Sequence, residues 1–277
     1  MKKVQCSWGN INYALWNENS EGIPVIALHG WLDNCFSFKP ISNHLNCKII
    51  SPDFPGHGHS SHLPAGSWYH FVDYVSRIHE FLEILDIDKF HLIGHSLGAA
   101  TATLYTSLFA EKIEKLILLD GLAPLLNEAE DARENLHKAI ASRLKTEKKK
   151  VRCYKNINAA IKATADSRSI SLQNAELLVR HHITETENGF KWAYDHKLKY
   201  SSPLRMTTAQ LESFVKEISV NTLLVTVENG YLVNSQQWPI TKLIKNLTVK
   251  KVEGPHHFHM ERPLETTAII KDFIQSG

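Results

Sequence analysis

The sequence predicts an α/β fold, in which a mostly parallel, twisted sheet has helices on both faces and carries a helical cap insertion. Two observations support this prediction. Along most of the chain, short apolar runs alternate with helical patterns, as expected for parallel strands that are buried on both faces. One stretch, residues 121–220, has helical patterns without a convincing strand and is too long for an ordinary connection. A chain of 277 residues, 43% of them hydrophobic, can bury a large core.

The strand candidates are short apolar or alternating runs bounded by turn residues. In chain order they are 3–7 and 11–16, joined by a hairpin turn at residues 9–10, then 24–28, 47–52, 89–94, 115–120, 221–227 and 247–252. The helical pattern between them is clearest over residues 69–85, where the apolar side chains share one face. Functional residues in parallel sheets gather at the carboxyl ends of the strands. We therefore expect the site near the polar residues at those ends, which are His29, Asp53, Ser96 and Asp120.

The chain is predicted to divide into a core domain, residues 1–120 and 221–277, and a helical cap, or lid, over residues 121–220. Helices are expected in the cap over 129–144 and 172–183. A basic run lies between them at residues 148–150, with Lys145 and Arg152 beside it. We interpret this run as a solvated helix end or loop, with a phosphate-binding patch as the alternative.

The most informative motif is G-H-S-L-G at residues 94–98, which follows an apolar strand candidate and precedes a helical run. A G-x-S-x-G in this setting is typical of a nucleophile elbow, a tight turn that exposes a strained serine at the start of a helix. The flanking glycines are needed because side chains there would collide. The alternative is that Ser96 merely caps the helix.

Acyl transfer by a serine also needs a base, an acid that orients the base, and an oxyanion hole. In elbow folds the chain order is serine, acid, histidine, so the base should lie near the C-terminus. The candidates there are His256, His257 and His259.

With these residues in view, the chain resembles the α/β-hydrolase superfamily, and within it the serine hydrolase-like protein family. The likeness is carried by the elbow and by L-H-G-W-L-D-N at 28–34, P-D-F-P-G-H-G-H-S at 52–60, L-I-L-L-D at 116–120 and G-P-H-H-F-H-M-E-R-P at 254–263. It covers roughly residues 3–120 and 221–277, and the cap matches less clearly. The resemblance implies the α/β-hydrolase fold and a serine hydrolase.

The resemblance also implies roles for individual residues. The catalytic histidine of the superfamily usually stands five residues before a Glu-x-Pro, and Glu261 with Pro263 then selects His256. The oxyanion hole should be the backbone amides of Leu97 and Trp31. The acid is less clear, because the position that holds aspartate in many members seems to be Gly230. Some members place the acid one strand earlier, where this chain has Asp120; Glu228 is the second choice, and a turn residue is the other reading of Asp120.

Substrate contacts are expected from His29, Phe36 and His95, beside Trp31 at the motif loops. For His29 a second role is expected, in which its ring holds the loop by hydrogen bonds without transferring a proton. The Gly-His-rich turn after Asp53, with His57 and His62, could suggest a metal site; such turns recur in the superfamily without metal, so no metal or other cofactor is expected.

The bulk composition narrows the partners. The net charge of +2 gives no indication of nucleic-acid binding. The four cysteines are scattered without metal-type spacing, which favours a reduced, intracellular protein with free thiols. The N-terminus lacks the apolar core of a signal peptide, and no run is long enough to span a membrane. We therefore expect a cytoplasmic monomer or homodimer that acts on a small-molecule acyl substrate.

The sequence thus predicts a cofactor-independent serine hydrolase that cleaves a small carboxylic ester. Haloalkane dehalogenases and epoxide hydrolases share the fold but use an aspartate nucleophile, and Ser96 argues against both. Perhydrolysis, thioester cleavage and carbon–carbon bond hydrolysis stay open, as does a non-catalytic relative that only binds a ligand.

Overall fold

A computed structural model describes residues 1–228, 230 and 232–276. Within them the main sheet has eight strands in the order β1-β2-β4-β3-β5-β6-β10-β11. These strands are β1 Lys2–Cys6, β2 Gly9–Trp16, β3 Val25–Leu28, β4 Ile49–Pro52, β5 Phe90–His95, β6 Ile113–Leu119, β10 Thr222–Val227 and β11 Leu247–Val252. The first hairpin is antiparallel, β2 runs antiparallel to β4, and the other pairs are parallel. The predicted α/β fold with a mostly parallel sheet is confirmed.

Helices cover both faces of this sheet. They are α1 Lys39–Ser42, α2 Phe71–Ile84, α3 Leu97–Leu108, α4 Ala132–Glu147, α5 Ile157–Arg168, α6 Leu172–Arg180, α7 Thr208–Val215, α8 Phe258–Glu261 and α9 Pro263–Gln275. Apolar side chains of α2, α3 and α7 pack in one core cluster with the sheet. Those of α1, α8 and α9 pack in a second cluster that includes Val25, Ile93 and Leu223. In the part of the chain that the structure describes, no helix is both long and apolar enough to cross a membrane.

The segment between β6 and β10 contains strands that the sequence did not predict. A small antiparallel sheet joins β7 Cys153–Tyr154, β9 Gly189–Trp192 and β8 Ile183–Thr186. The expectation of a strand-free, purely helical cap is therefore wrong. These strands have two to four residues, too few for an alternating pattern to stand out.

The same segment returns to the sheet before residue 220. A lone bridge pairs Leu126 with Met206, and Asn127 donates a hydrogen bond to the Met206 carbonyl at 3.0 Å. After it, α7 buries Leu211 and Val215 in the core cluster of the sheet. Thus α7 is the crossover helix between β6 and β10, and the part above the sheet lies between residues 126 and 206.

Candidate active site

Ser96 occupies a strained turn between β5 and α3. Its backbone angles, φ 52° and ψ −111°, lie in a region that residues other than glycine rarely adopt. A Cβ on Gly98 would lie 1.9 Å from the Leu28 carbonyl oxygen, and one on Gly94 would lie 2.3 Å from the Gly98 carbonyl oxygen. Glycine is therefore required on both sides. The Ser96 side chain makes no capping hydrogen bond to α3, which argues against the reading of this residue as a simple helix cap.

Asp120 and His256 meet at the carboxyl end of the sheet. The Nδ1 atom of His256 lies 2.6 Å from Oδ2 of Asp120. The other carboxylate oxygen accepts hydrogen bonds from the Thr226 hydroxyl at 2.8 Å and from the Val227 amide at 3.5 Å. Because a carboxylate only accepts, the proton of this imidazole sits on Nδ1, and Nε2 is left as an acceptor. A carboxylate buried in this way orients the ring as a base requires.

Glu228, the alternative acid, is exposed at the end of β10, and its carboxylate has no hydrogen bond to a histidine among the described residues. Gly230 lies beside the acid, since a Cβ there would come within 3.3 Å of Asp120 Oδ1. The Ser96 and His256 side chains face the same cavity, and no hydrogen bond joins them in the described residues. Such bonds are often long in the absence of substrate.

The predicted oxyanion amides belong to residues that line this cavity, Trp31 and Leu97. Neither backbone N–H has an acceptor among the described residues. The Trp31 loop is a tight turn, in which Asp33 donates to the Gly30 carbonyl at 3.2 Å and Leu32 has φ 57°. The indole of Trp31 also donates to the Leu198 carbonyl of the cap at 3.1 Å. Backbone amides that no acceptor among the described residues engages are the kind of donor that binds an oxyanion.

Asp33 is a buried carboxylate that ties three parts of the chain together. It accepts hydrogen bonds from His257 Nε2 at 3.0 Å and from Arg168 Nε at 2.9 Å, and Arg168 also donates to the Leu32 carbonyl at 2.7 Å. Burial would raise the pKa of Asp33, but His257 and Arg168 hold it well below its ordinary value. This one buried charge therefore links the loop that carries Trp31, the loop that carries His256 and helix α5.

His95 joins the elbow to the loop of the base. Its Nε2–H donates to the backbone carbonyl of His256 at 3.0 Å, so its Nδ1 carries no proton. Burial, and then the neighbouring His259, His256 and His257, lower the pKa of His95 well below its ordinary value. A neutral ring that clamps the backbone next to Ser96 fixes the spacing of serine and base.

Three residues that were expected to contact substrate make other contacts in the structure. The cavity lining, as far as the structure describes it, does not include His29, Phe36 or His95. The His29 ring is fully buried and bonds to the Gly30 carbonyl and the Phe54 amide, at 2.8 and 3.0 Å. The Phe36 ring stacks on His181 in a separate contact. His29 directly follows β3 and His95 ends β5, whereas Phe36 lies in the connection between β3 and β4.

Two groups have the side chains to hold a metal, and both have other partners. Asp53 accepts from the Cys35 and His59 amides at 2.7 and 3.0 Å, so backbone donors engage both of its oxygens. Ligand atoms of Asp33, His95 and His257 lie within 4.8 Å of one another. The Arg168 guanidinium on the same carboxylate opposes a second cation there.

The cavity above Ser96 has a volume of about 1500 Å³ and is bounded by the sheet edge and by the segment between β6 and β10. Its walls are largely apolar or aromatic: Trp31, Trp68, Tyr69, Phe71, Leu125, Leu204, Met206, Phe214 and Leu232. Cations stand at Lys197, Lys199 and Arg205. The shape and chemistry suit a ligand with a sizeable apolar part.

The sequence did not point to Arg168 or to the role of Asp33. Asp33 stands in the quoted motif at 28–34, but Arg168 is 135 residues away and nothing near it in sequence signals the contact.

Comparison with known proteins adds the family. Residues 23–263 match the alpha/beta hydrolase fold family. The chain is 29% identical to a serine hydrolase-like protein of Danio rerio, across 99% of this chain and 87% of that one. It is 31% identical to a probable serine hydrolase of Drosophila melanogaster, with the same coverage. Among solved structures, a hypothetical protein of Pseudomonas aeruginosa matches with a TM-score of 0.89 and 32% identity, over 99% of this chain and 97% of that one.

Proposed function

Because the chain belongs to the alpha/beta hydrolase fold family, we propose that it is a serine hydrolase that cleaves a small carboxylic ester through an acyl-enzyme. Ser96 is the nucleophile, His256 the base and Asp120 the acid that orients it. One observation carries the proposal. Ser96, in its strained turn, and His256 line the same cavity, and Nδ1 of His256 lies 2.6 Å from the buried carboxylate of Asp120.

In the first half-reaction, Ser96 Oγ attacks the acyl carbonyl carbon while His256 Nε2 takes the hydroxyl proton. The negative charge that develops on the carbonyl oxygen is held by the amides of Trp31 and Leu97, and loss of one such donor typically costs about 10²–10³ in rate. The bond to the leaving oxygen then breaks. His256 passes its proton to that oxygen, and the alcohol departs.

In the second half-reaction, water replaces the alcohol. His256 takes a proton from water as the water oxygen bonds to the acyl carbon. The bond between that carbon and Ser96 Oγ breaks, the proton goes to Ser96, and the carboxylic acid leaves. Asp120 stays ionised throughout and stabilises the imidazolium that forms in both steps.

We further propose that residues 126–206 act as the cap that selects the substrate. They contribute Leu204 and Met206 to the cavity wall and Leu198 to the contact with Trp31. The apolar walls favour an apolar acyl or alcohol group.

The test is labelling with a fluorophosphonate probe together with turnover of p-nitrophenyl esters of increasing chain length. We expect the wild-type protein to be labelled and Ser96→Ala to be unlabelled and inactive. Ser107→Ala is a matched control on α3, because within the described chain this hydroxyl bonds only to the Leu104 carbonyl, at 2.7 Å. Equal labelling of Ser96→Ala would reject the nucleophile. A wild-type protein that binds esters without labelling or turnover would instead favour a ligand-binding role.

A further inference from the structure

A second concave site lies in the cap, beside the catalytic cavity, and the proposed reaction does not use it. Its volume is about 460 Å³, and its lining includes five cationic side chains: Lys145, Lys149, Lys150, Arg152 and Lys199. We call it the basic depression. Among the described residues its lining contains no aspartate or glutamate.

Ordinary helix chemistry explains only part of this charge. Lys145 stands in the last turn of α4, where a cation complements the helix dipole. Lys149, Lys150 and Arg152 follow the end of that helix, and Lys199 comes from a distant part of the cap.

None of these five cations is paired with a carboxylate within 4.0 Å in the described part of the chain. The nearest acid on α4, Glu147, is held by Arg143 at 2.9 Å and by the Tyr200 hydroxyl at 3.2 Å. Asp195 is held by Lys197 at 3.2 Å and Tyr69 at 2.7 Å. Arg152 lies over the Tyr154 ring at 4.8 Å and Lys199 over the Tyr194 ring at 4.9 Å, so aromatic rings face two of the cations, and no carboxylate of the described residues neutralises the charge of the depression.

The wall of the depression adds groups that suit a phosphorylated ligand. The Trp192 and Tyr194 rings line it and stack on each other with centroids 5.9 Å apart. The Ser142 and Thr146 hydroxyls can donate to phosphate oxygens. Nδ1 of His196 is buried and has no partner in the described residues. Burial and then the Lys199 charge lower the pKa of His196 below its ordinary value, as expected in a positive field.

The depression adjoins the catalytic cavity at Lys199. Lys199 lines both, and the next residues along the chain, Tyr200 and Ser201, line the catalytic cavity. Leu198, on the other side of Lys199, accepts the indole hydrogen bond of Trp31. The two cavities therefore meet at one residue, and we infer that a ligand with its acyl carbonyl at Ser96 places its leaving group past Lys199 in the depression.

We propose that the basic depression binds a phosphate group carried by the leaving group of the acyl substrate. This inference rests on the proposed function; it requires a phosphate on the leaving group of the acyl ester and extends the substrate class to the corresponding thioesters. It adds no chemical step, because the phosphate stays bonded to the leaving alcohol or thiol. Two sources share the chemistry: a nucleotide-containing thiol, whose base would stack on Trp192, and a glycerol phosphate.

The first experiment measures binding without turnover. Calorimetry on Ser96→Ala with pyrophosphate, ADP and adenosine should give binding of the first two, weakened by added salt. The double substitution Lys149→Gln/Lys150→Gln should weaken the affinity for both ligands about ten-fold, because each exposed ion pair contributes up to about a factor of five in affinity. Lys148→Gln is the matched control, because this lysine belongs to the same run and does not line the depression. No binding of pyrophosphate or ADP, or equal loss in the control, would overturn the inference.

The second experiment measures hydrolysis of matched pairs: octanoyl-coenzyme A against octanoyl-N-acetylcysteamine, and octanoyl-glycerol 3-phosphate against mono-octanoylglycerol. We expect one phosphate-bearing compound to have the higher kcat/KM of its pair, and which pair does so identifies the source. Lys149→Gln/Lys150→Gln should reduce that ratio, mainly through KM, and Lys148→Gln should keep it. Equal kcat/KM within both pairs would reject the inference while the hydrolase stands. No hydrolysis of any of the four compounds would also reject the inference, and if the wild-type protein is then neither labelled by the fluorophosphonate nor active on p-nitrophenyl esters, the proposed function is rejected as well.

Discussion

Asp120→Asn tests the arrangement of acid and base most directly. Both hydrogen-bond donors on the far side of the carboxylate, the Thr226 hydroxyl and the Val227 amide, point at Oδ1. An asparagine would keep its carbonyl oxygen there, so its NH₂ group would face His256 Nδ1. The imidazole would then have to accept at Nδ1 and carry its proton on Nε2, which is the wrong tautomer for a base.

The expected loss in kcat is about 10³–10⁴-fold, as for the same change in a serine protease triad. The upper figure corresponds to about 5.5 kcal/mol of transition-state stabilisation. Two unit charges 2.6 Å apart interact by about 6 kcal/mol at an effective dielectric of about 20. The His256 side chain is 41% exposed, which lowers that value, so tautomer and charge together account for the range.

The assay is kcat on p-nitrophenyl esters and the rate of fluorophosphonate labelling, with circular dichroism to verify folding. Glu228→Gln is the control and should change kcat less than two-fold, because this exposed carboxylate has no bond to His256 among the described residues. A folded Asp120→Asn that keeps more than a tenth of the wild-type kcat would refute the reasoning. So would an equal loss in Glu228→Gln.

Three other predictions concern stability. Arg168→Gln should lower the free energy of unfolding in urea by about 3 kcal/mol because it leaves a buried carboxylate short of a partner; the exposed Arg180→Gln should cost under about 1 kcal/mol, and equal losses would contradict this. Gly98→Ala should give no folded protein, since its Cβ would lie 1.9 Å from the Leu28 carbonyl oxygen, and a soluble, active variant would contradict the elbow geometry. Burial lowers the pKa of His57 to about 3, so the unfolded chain takes up a proton below about pH 6.5 that the folded chain does not. The free energy of unfolding should therefore decrease as the pH is lowered below 6.5, by up to about 1.4 kcal/mol per pH unit for this histidine. A constant free energy of unfolding from pH 7.5 to 5 would argue against this prediction.

The sequence was sufficient for the sheet because buried parallel strands are continuous apolar runs that need no partner to be recognised. It also led to the hypothesis that Ser96, Asp120 and His256 form the site, since Ser96 and Asp120 directly follow β5 and β6, His256 lies in the loop after β11, and the parallel strands end at one edge of the sheet. The acid that orients His256 was the hardest of these residues to assign. Asp120 and Glu228 follow neighbouring strands, and only the side-chain contacts separate them.

What could not be predicted depends on contacts between residues that are distant in sequence. Nothing local in α5 indicates that Arg168 reaches Asp33. His29 and His95 stand in the quoted motifs and Phe36 lies just after one, but a motif does not determine on which side of the backbone a ring packs. The sequence did not predict the three-stranded sheet of the cap because its strands are short and partly exposed. Such strands show little alternation of apolar and polar residues.

The pairing of Leu126 with Met206 has a consequence for how such a protein can change. The chain leaves the sheet domain and returns to it at one point, so residues 126–206 form a single insertion with adjacent ends. The entropic cost of closing a loop grows only slowly with its length. Evolution can therefore lengthen, shorten or replace this insertion without disturbing β6, α7 or β10, and without moving Asp120. Substrate preference and bond-breaking chemistry can vary separately in a chain built this way.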